Sequence, residues 1–415
     1  MKVLQVNCVY KKGSTGKITY DLHKGLLLNA GIESVVCYGR GELVKEPGVY
    51  KTCPEWYSKL NNAWSRVTGI MYGGCFFSTN KLISIIKQEK PDIVHLQCIN
   101  GYFVNIYRLV EWLKNNHIKT VLTLHAEFMY TANCGYALEC ERWQTGCGSC
   151  PRRKAETKSI FFDGTAKSWR RMKKAFDGFE KDLIVTSVSP WLEERAKQSP
   201  IFERMQHCVV YNGLDTSIFH PYRTTELRQS LNCEGKKVVF HATPVFSPDP
   251  NHLKGGYYVL ELAKRMPKVQ FIVAGPYVQG IEVPENVTLL GRVEDQTKLA
   301  KLYSMADATL LTSKRETFSM VTAESLCCGT PVVGFKAGGP EGIAIPEYSR
   351  FVEYGDIEQF ARCVCAFLSQ DRNIAAVADI AHKEYATEMM VQNFAAIYKR
   401  LMINIKGKKQ NETED

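Results

Sequence analysis

The sequence predicts an α/β chain built from two doubly wound units in tandem. Short β-branched runs alternate with helical patterns, that rhythm restarts with a new strand near residue 237, and 415 residues exceed what one ordinary core supports.

In the first unit, residues 3–9 read as a strand, 18–28 as a helix and 34–38 as a strand. Residues 81–88 follow as a helix, 93–97 as a strand, 106–114 as a helix and 120–125 as a strand, with shorter strands at 184–187 and 208–210. Strands separated by helices imply crossover connections and a parallel sheet. In the second unit strands are expected at 237–241, 269–274, 287–290, 308–311, 331–335 and 351–352. Helices are expected at 257–265, 297–303, 321–327 and 357–368. Residues 212–232, with turn residues and no periodicity, read as a linker. One or two helices should span 375–406, with a polar tail beyond. The expected domains are 1–212, 213–378, a pair of terminal helices at 379–405, and a tail at 406–415.

A hydrophobic fraction of 45% with 23% charged residues is that of a globular protein. No apolar run reaches the length of a membrane span, and the N-terminus lacks the apolar core and cleavage site of a signal peptide. A cytoplasmic location is expected, and with it reduced thiols as the default for the 15 cysteines. The net charge of +10 is partly local. Between Pro151 and Asp182, Arg152, Arg153, Lys154, Lys158, Lys167, Arg170, Arg171, Lys173, Lys174 and Lys181 outnumber the acids, while Trp169, Met172, Phe176 and Phe179 recur at helical spacing. Two readings stay open: a basic amphipathic helix lying on an anionic membrane, and a core-packed helix with a solvated basic face.

The strongest chemical signal is Glu316-Thr-Phe-Ser-Met-Val-Thr-Ala-Glu324. Glu316 falls in a loop after a strand and Glu324 on the helix that follows. A carboxylate there can accept hydrogen bonds from the vicinal hydroxyls of a ribose, and the helix start offers N–H groups and a positive dipole end to a diphosphate. Lys254-Gly255-Gly256 ends a polar loop just before another helix, where an ammonium and glycine backbone also suit a diphosphate. Gly13-Ser14-Thr15-Gly16 forms a glycine-rich strand-to-helix turn able to approach phosphate or acceptor. It lacks the three spaced glycines of a dinucleotide fingerprint and the Lys-Ser/Thr of a P-loop, which disfavours dehydrogenase and ATPase readings. His95 and His241 read as core histidines.

With Lys90-Pro-Asp-Ile-Val-His95, Thr123-Leu-His125 and Val210-Tyr-Asn-Gly-Leu-Asp215 in the same order and spacing, the chain resembles glycosyltransferase family 4, the retaining GT-B enzymes, over nearly its whole length. The resemblance implies two Rossmann-like domains facing a central cleft, with C-terminal helices crossing back. It implies that Glu324 holds the ribose, Glu316 bonds the donor sugar and Lys254 neutralises the leaving diphosphate. Backbone groups of Phe318, Ser319, Met320 and Val321 should line the sugar and phosphate site, and His125 should lie near the transferred sugar. A UDP-sugar is expected over a GDP-sugar, and no metal is required for catalysis. The sequence departs from the family where an arginine is common, at Ala242-Thr243-Pro244, making Lys314 or Arg315 candidate substitutes. It departs again at Ala126, where an acid is common, and at Thr317-Phe318-Ser319, where Gly-Phe-Gly is common.

Cys134, Cys140, Cys147 and Cys150 could close a structural zinc site or pack as reduced thiols. The run Arg142-Trp-Gln-Thr-Gly-Cys147 resembles a subgroup of that family active in bacterial exopolysaccharide assembly, including colanic-acid-type transferases. The subgroup implies a lipid-linked glycan acceptor at the inner membrane face, in O-antigen, capsule or exopolysaccharide synthesis. Two rivals inside the fold are a nucleotide-sugar epimerase and a glucan synthase, separable by donor isomerisation and by a product ladder. A rival of another class is a zinc-knuckle nucleic-acid binder. It leaves the second unit unexplained and lacks a stacking platform, so no nucleic-acid partner is expected.

Overall fold

The computed structural model describes residues 1–370 and 373–411. The chain forms two units, Met1–Val210 joined by the chain from Met390 onward, and Tyr211–Met389.

The first unit contains β1 (Lys2–Asn7), α1 (Gly13–Asn29), β2 (Glu33–Tyr38), β3 (Val49–Lys51), α2 (Glu55–Thr68), α3 (Phe76–Glu89), β4 (Ile93–Leu96) and α4 (Ile106–Asn115). It continues with β5 (Lys119–Leu124), α5 (Phe128–Thr131), α6 (Thr165–Phe176), β6 (Leu183–Ser187), α7 (Pro190–Lys197) and β7 (Gln206–Val209). The seven strands lie in the order β3-β2-β1-β4-β5-β6-β7, and every pairing is parallel. Helices cover both faces of such a sheet, so its strands are apolar on both sides: Val3, Leu4, Val6, Ile93, Val94, Val121 and Leu122 are all fully buried.

The second unit contains α8 (Thr225–Ser230), β8 (Val238–Ala242), α9 (Gly256–Arg265), β9 (Gln270–Ala274), β10 (Val287–Leu289), α10 (Gln296–Met305), β11 (Ala308–Leu311) and α11 (Met320–Cys327). After these come β12 (Val332–Phe335), α12 (Gly339–Ile343), β13 (Ser349–Val352), α13 (Ile357–Ser369) and α14 (Ile374–Tyr385). Its six parallel strands run β10-β9-β8-β11-β12-β13. Both units are thus doubly wound, as the sequence predicts. The last helix, α15 (Thr387–Asn411), packs Val391, Phe394 and Tyr398 on Ile18, Leu22 and Leu26 of α1.

The structure departs from the sequence reading in several places. Residues 212–232 are not a linker, because they are built into the second unit. Leu214 N donates to Tyr385 O at 2.7 Å, Thr387 N donates to Leu214 O at 2.9 Å, and Phe219 is fully buried. Residues 379–385 belong to α14, which packs on α11 and buries Val377, Ala378, Ala381 and Tyr385. The first unit therefore resumes at Met390, not at 379. The chain also stays helical past residue 406, the expected start of a polar tail, through Asn411, and residues 412–415 lie outside the described residues. Finally, β3 and α2 occupy a stretch to which the sequence pattern assigned nothing.

The basic segment resolves into α6 with a packed apolar face. Trp169, Met172 and Phe176 are buried, as is Phe179 just beyond, and Trp169 Nε1 donates to Trp143 O at 2.8 Å. Arg170 and Lys174 face solvent. This helix has no apolar side left to offer a membrane. Among the described residues, no helix is long and apolar enough to cross one.

Candidate functional site

In a doubly wound sheet, ligands collect beyond the C-terminal ends of the strands where strand order reverses. In the second unit that point lies between β8 and β11, and the loops leaving these two strands carry Lys254 and Glu316. The structure brings the two together: Lys254 Nζ lies 2.5 Å from Glu316 Oε1, with both side chains largely buried. Backbone bonds fix both loops. Lys314 N donates to Leu253 O at 2.8 Å, Thr312 Oγ1 donates to Lys254 O at 2.8 Å, and Glu316 is clipped to the next loop by Glu316 N→Ala337 O and Gly339 N→Glu316 O.

Gly255 makes this approach possible. Its φ is +62°, and a Cβ there would lie 2.2 Å from Thr312 O. The close neighbour that the missing Cβ admits is this carbonyl. Gly255→Ala is expected to lower stability by about 2 kcal/mol or more, since left-handed backbone alone costs an alanine roughly 1–2 kcal/mol. The thermal midpoint reports this loss, and an unchanged midpoint would show that the loop yields freely.

The segment from Phe318 to Glu324 enters α11. Ser319 caps it, its Oγ accepting from Thr322 N at 3.2 Å, while the residue sits at φ 82°. A glycine adopts that φ without strain, which gives a physical reason for the Gly-Phe-Gly pattern from which this chain departs. Met320 and Val321 begin the helix, where N–H groups have no partner within the helix itself. One turn on, Glu324 Oε2 accepts from Tyr303 OH at 2.9 Å. Glu324, Val321 and Tyr303 line a cavity of about 500 Å³ with Thr243, Pro244, Gly275 and Arg292. This is ample room for a nucleoside, and a carboxylate lining it is the right chemistry to accept a hydrogen bond from a ribose hydroxyl.

Sequence reasoning missed Tyr303 and Arg292. The position where an arginine is common, Thr243-Pro244, does line the cavity, but the cation there is Arg292, from the loop after β10. Of the two substitutes expected from sequence, Lys314 places its ammonium 5.7 Å from the Tyr354 ring centre, and neither it nor Arg315 lines this cavity.

The other expected site residues lie in the first unit. His125 follows β5, and its Nε2 is 3.3 Å from Gln97 Oε1. Gln97 Nε2 in turn donates to Gln5 Oε1 at 2.6 Å. With the Gln97 amide so committed, its oxygen accepts from His125, so Nε2 carries the ring proton. Burial pushes the His125 pKa down to about 4, leaving a neutral imidazole at physiological pH. Gly13, Ser14, Thr15 and Gly16 form the first turn of α1, which no side chain caps. His95 is a core group, held by Tyr398 at 2.7 Å and Thr123 at 2.6 Å. Beside Ala126 the sequence does supply an acid, Glu127, but it is fully buried and paired with Arg195 at 2.8 Å.

Cys134, Cys140, Cys147 and Cys150 converge on a separate cavity of about 20 Å³. Among the described residues, however, no group of three or more His, Cys, Asp or Glu side chains is arranged to hold a metal ion. Burial raises the thiols of Cys134, Cys147 and Cys150, that of Cys147 to about 12.

Comparison with known proteins bears on the fold and on the class of enzyme. Residues 226–384 match the model of the family described as glycosyl transferases group 1. Over 97% of its length the chain is 22% identical to the whole of a putative colanic acid biosynthesis glycosyl transferase, WcaC, of Escherichia coli strain K12. It is 24% identical to the N-acetyl-alpha-D-glucosaminyl L-malate synthase of Bacillus anthracis, over 77% of each chain. Among solved structures, sucrose-phosphate synthase of Thermosynechococcus elongatus superposes with a TM-score of 0.66 at 15% identity, over 97% of this chain and 99% of that one. Anabaena HepE in complex with UDP-glucose superposes with a TM-score of 0.62 at 15% identity, over 96% and 100%. At such identities the superpositions speak to fold. The chain has the GT-B fold of two Rossmann-like domains, its second unit carries a group 1 glycosyl transferase domain, and the protein is a transferase enzyme.

Proposed function

We propose that the protein moves a hexose-type sugar, with retention of configuration, from a UDP-sugar to a lipid-linked glycan in bacterial surface polysaccharide synthesis, on the cytoplasmic side of the membrane. The observation that carries this reading is the meeting of Lys254 and Glu316 at the strand-order reversal, in the same unit as a nucleoside-sized cavity lined by Glu324. In this reading Glu324 holds the ribose, Lys254 and the start of α11 take up charge on the departing diphosphate, and Glu316 bonds the donor sugar. Bond cleavage passes through an oxocarbenium-like state, and attack on the face of departure retains configuration. Neutral His125 serves as a hydrogen-bonding group toward the sugar and not as a strong base. The UDP-glucose complex of HepE supports the choice of nucleotide, and the colanic acid relative supports the class of pathway.

A panel of UDP-, GDP- and ADP-sugars tests the donor, with slow hydrolysis as the readout. A UDP-sugar should be turned over, and Glu324→Ala should lower kcat/KM about 10²-fold, the scale of losing one or two charge-assisted hydrogen bonds. If no donor is bound or hydrolysed, or if Glu324→Ala changes nothing, the reading fails.

A further inference from the structure

We propose that the first unit docks on the surface of an anionic lipid bilayer through the outer face of α2 and the adjoining loop at residues 160–162. This inference is independent of the donor reading.

The helix α2 is inverted. Trp56, Leu60, Trp64 and Val67 are 67%, 59%, 60% and 43% exposed, and their spacing of four, four and three residues puts them in one stripe. The opposite face carries buried Ser58 and Ser65, which donate to Gly101 O at 2.9 Å and Met71 Sδ at 3.3 Å. A surface helix serving only its own core turns its apolar side chains inward and its small polar ones outward. Here the assignment is reversed, and two tryptophans stand in water.

A second element extends the same surface. Phe161 and Phe162 are 65% and 62% exposed, directly after the exposed Ile160. Their loop is locked to the C-terminal end of α2: Ile160 N donates to Arg66 O at 2.8 Å, and Gly69 lies so close that a Cβ on it would be 2.3 Å from Phe162 O. Contiguous exposed apolar surface of this kind marks an interaction site.

Charge selects the occupant. Lys59 and Arg66 flank the stripe on one side of α2, and Lys154 and Lys158 are exposed on the segment leading into the loop. Arg153 sits at the loop itself, donating to Phe161 O at 3.0 Å. The neighbouring acids are engaged: Glu55 accepts from Gly41 N and Arg40, Glu156 pairs with Arg152, and Asp163 accepts from Cys150 N and Thr165. Tryptophan and phenylalanine ringed by lysine and arginine match the boundary between acyl chains and anionic headgroups. The sequence-level membrane reading rested on α6, whose apolar face is buried; the exposed one is on α2.

Co-sedimentation of the full chain with vesicles tests this, without any nucleotide sugar present. Binding to phosphatidylglycerol–phosphatidylcholine vesicles should exceed binding to pure phosphatidylcholine and weaken with added salt. Replacing Trp56→Ser, Trp64→Ser, Phe161→Ser and Phe162→Ser together should reduce it about 10-fold or more, while the circular dichroism spectrum stays unchanged because these side chains are exposed. Donor hydrolysis in solution should survive these changes. Equal binding to neutral and anionic vesicles overturns the proposal, as does full binding by the fourfold variant. Lipid-free dimerisation abolished by the same changes would also overturn it, assigning the face to a second copy of the chain.

Discussion

Lys254→Ala is expected to lower kcat/KM for donor turnover by about 10²- to 10³-fold, the scale of removing one preorganised electrostatic contact from a reaction centre. The ammonium is a single charge placed where negative charge develops on a departing diphosphate. The loop that carries it is held by Lys314 N→Leu253 O and Thr312 Oγ1→Lys254 O, neither of which the substitution touches. The loop should therefore stay in place, and the loss should fall on kcat more than on donor affinity. A rival explanation is that the alanine merely strands Glu316, since breaking a buried ion pair costs about 3–5 kcal/mol. Lys254→Ala combined with Glu316→Gln separates the two: if the stranded carboxylate is the cause, the second change restores activity. The expectation is that activity is not restored. Recovery to within about 10-fold of the native rate would end the leaving-group role of Lys254.

Arg292 should matter less. It lines the cavity, yet it is exposed and already 3.0 Å from the exposed Glu294, a pairing typical of a solvated surface. Lys254 thus remains the main expected phosphate contact.

What could be read from the sequence follows from how local each signal is. Glu316, Glu324 and Lys254 each sit in a strand–loop–helix unit whose order is visible along the chain, so their grouping could be anticipated. Arg292 and Tyr303 reach the cavity that Glu324 lines from the loop after β10 and from α10, and only the packed sheet brings them there. The departure at Ser319 was visible, but its meaning, a serine held at φ 82°, needed backbone geometry. Helix α2 escaped for a different reason. Its stripe is regular, but the rule that apolar faces turn inward gives no guide when the stripe faces out. Residues 212–232 read as a linker because their bonds are made to Tyr385 and Thr387, far along the chain.

The stability of the protein should fall steadily as pH drops from about 6.5 to 5, before most carboxylates titrate. Burial holds His95 at about 3 and His23, His125 and His241 at about 4, and lowers His207 as well. In the unfolded chain each titrates near 6.5. Between these values the unfolded state binds protons that the folded state refuses, so stability is full above 6.5 and is lost as pH falls toward 4. Each histidine contributes a slope of up to about 1.4 kcal/mol per pH unit. Glu89 and Asp163, whose carboxyls are lowered, act in the same direction only below about 5. Glu156 and Glu341, raised by burial, act in the opposite direction and blunt the slope. Four of the five histidines, all but His241, lie in the first unit, and so do all six tryptophans, at positions 56, 64, 112, 143, 169 and 191. Tryptophan fluorescence during urea unfolding therefore reports the more acid-sensitive unit. Its midpoint should fall between pH 7.5 and 5 by more than the midpoint followed by far-ultraviolet circular dichroism, which averages both units. His95→Gln, which removes one buried imidazole from the first unit, should make the fluorescence midpoint less sensitive to pH. A fluorescence midpoint that stays level from pH 7.5 to 5 would mean that these imidazoles are charged in the folded protein, and the neutral, Gln97-bound form of His125 would fall with them.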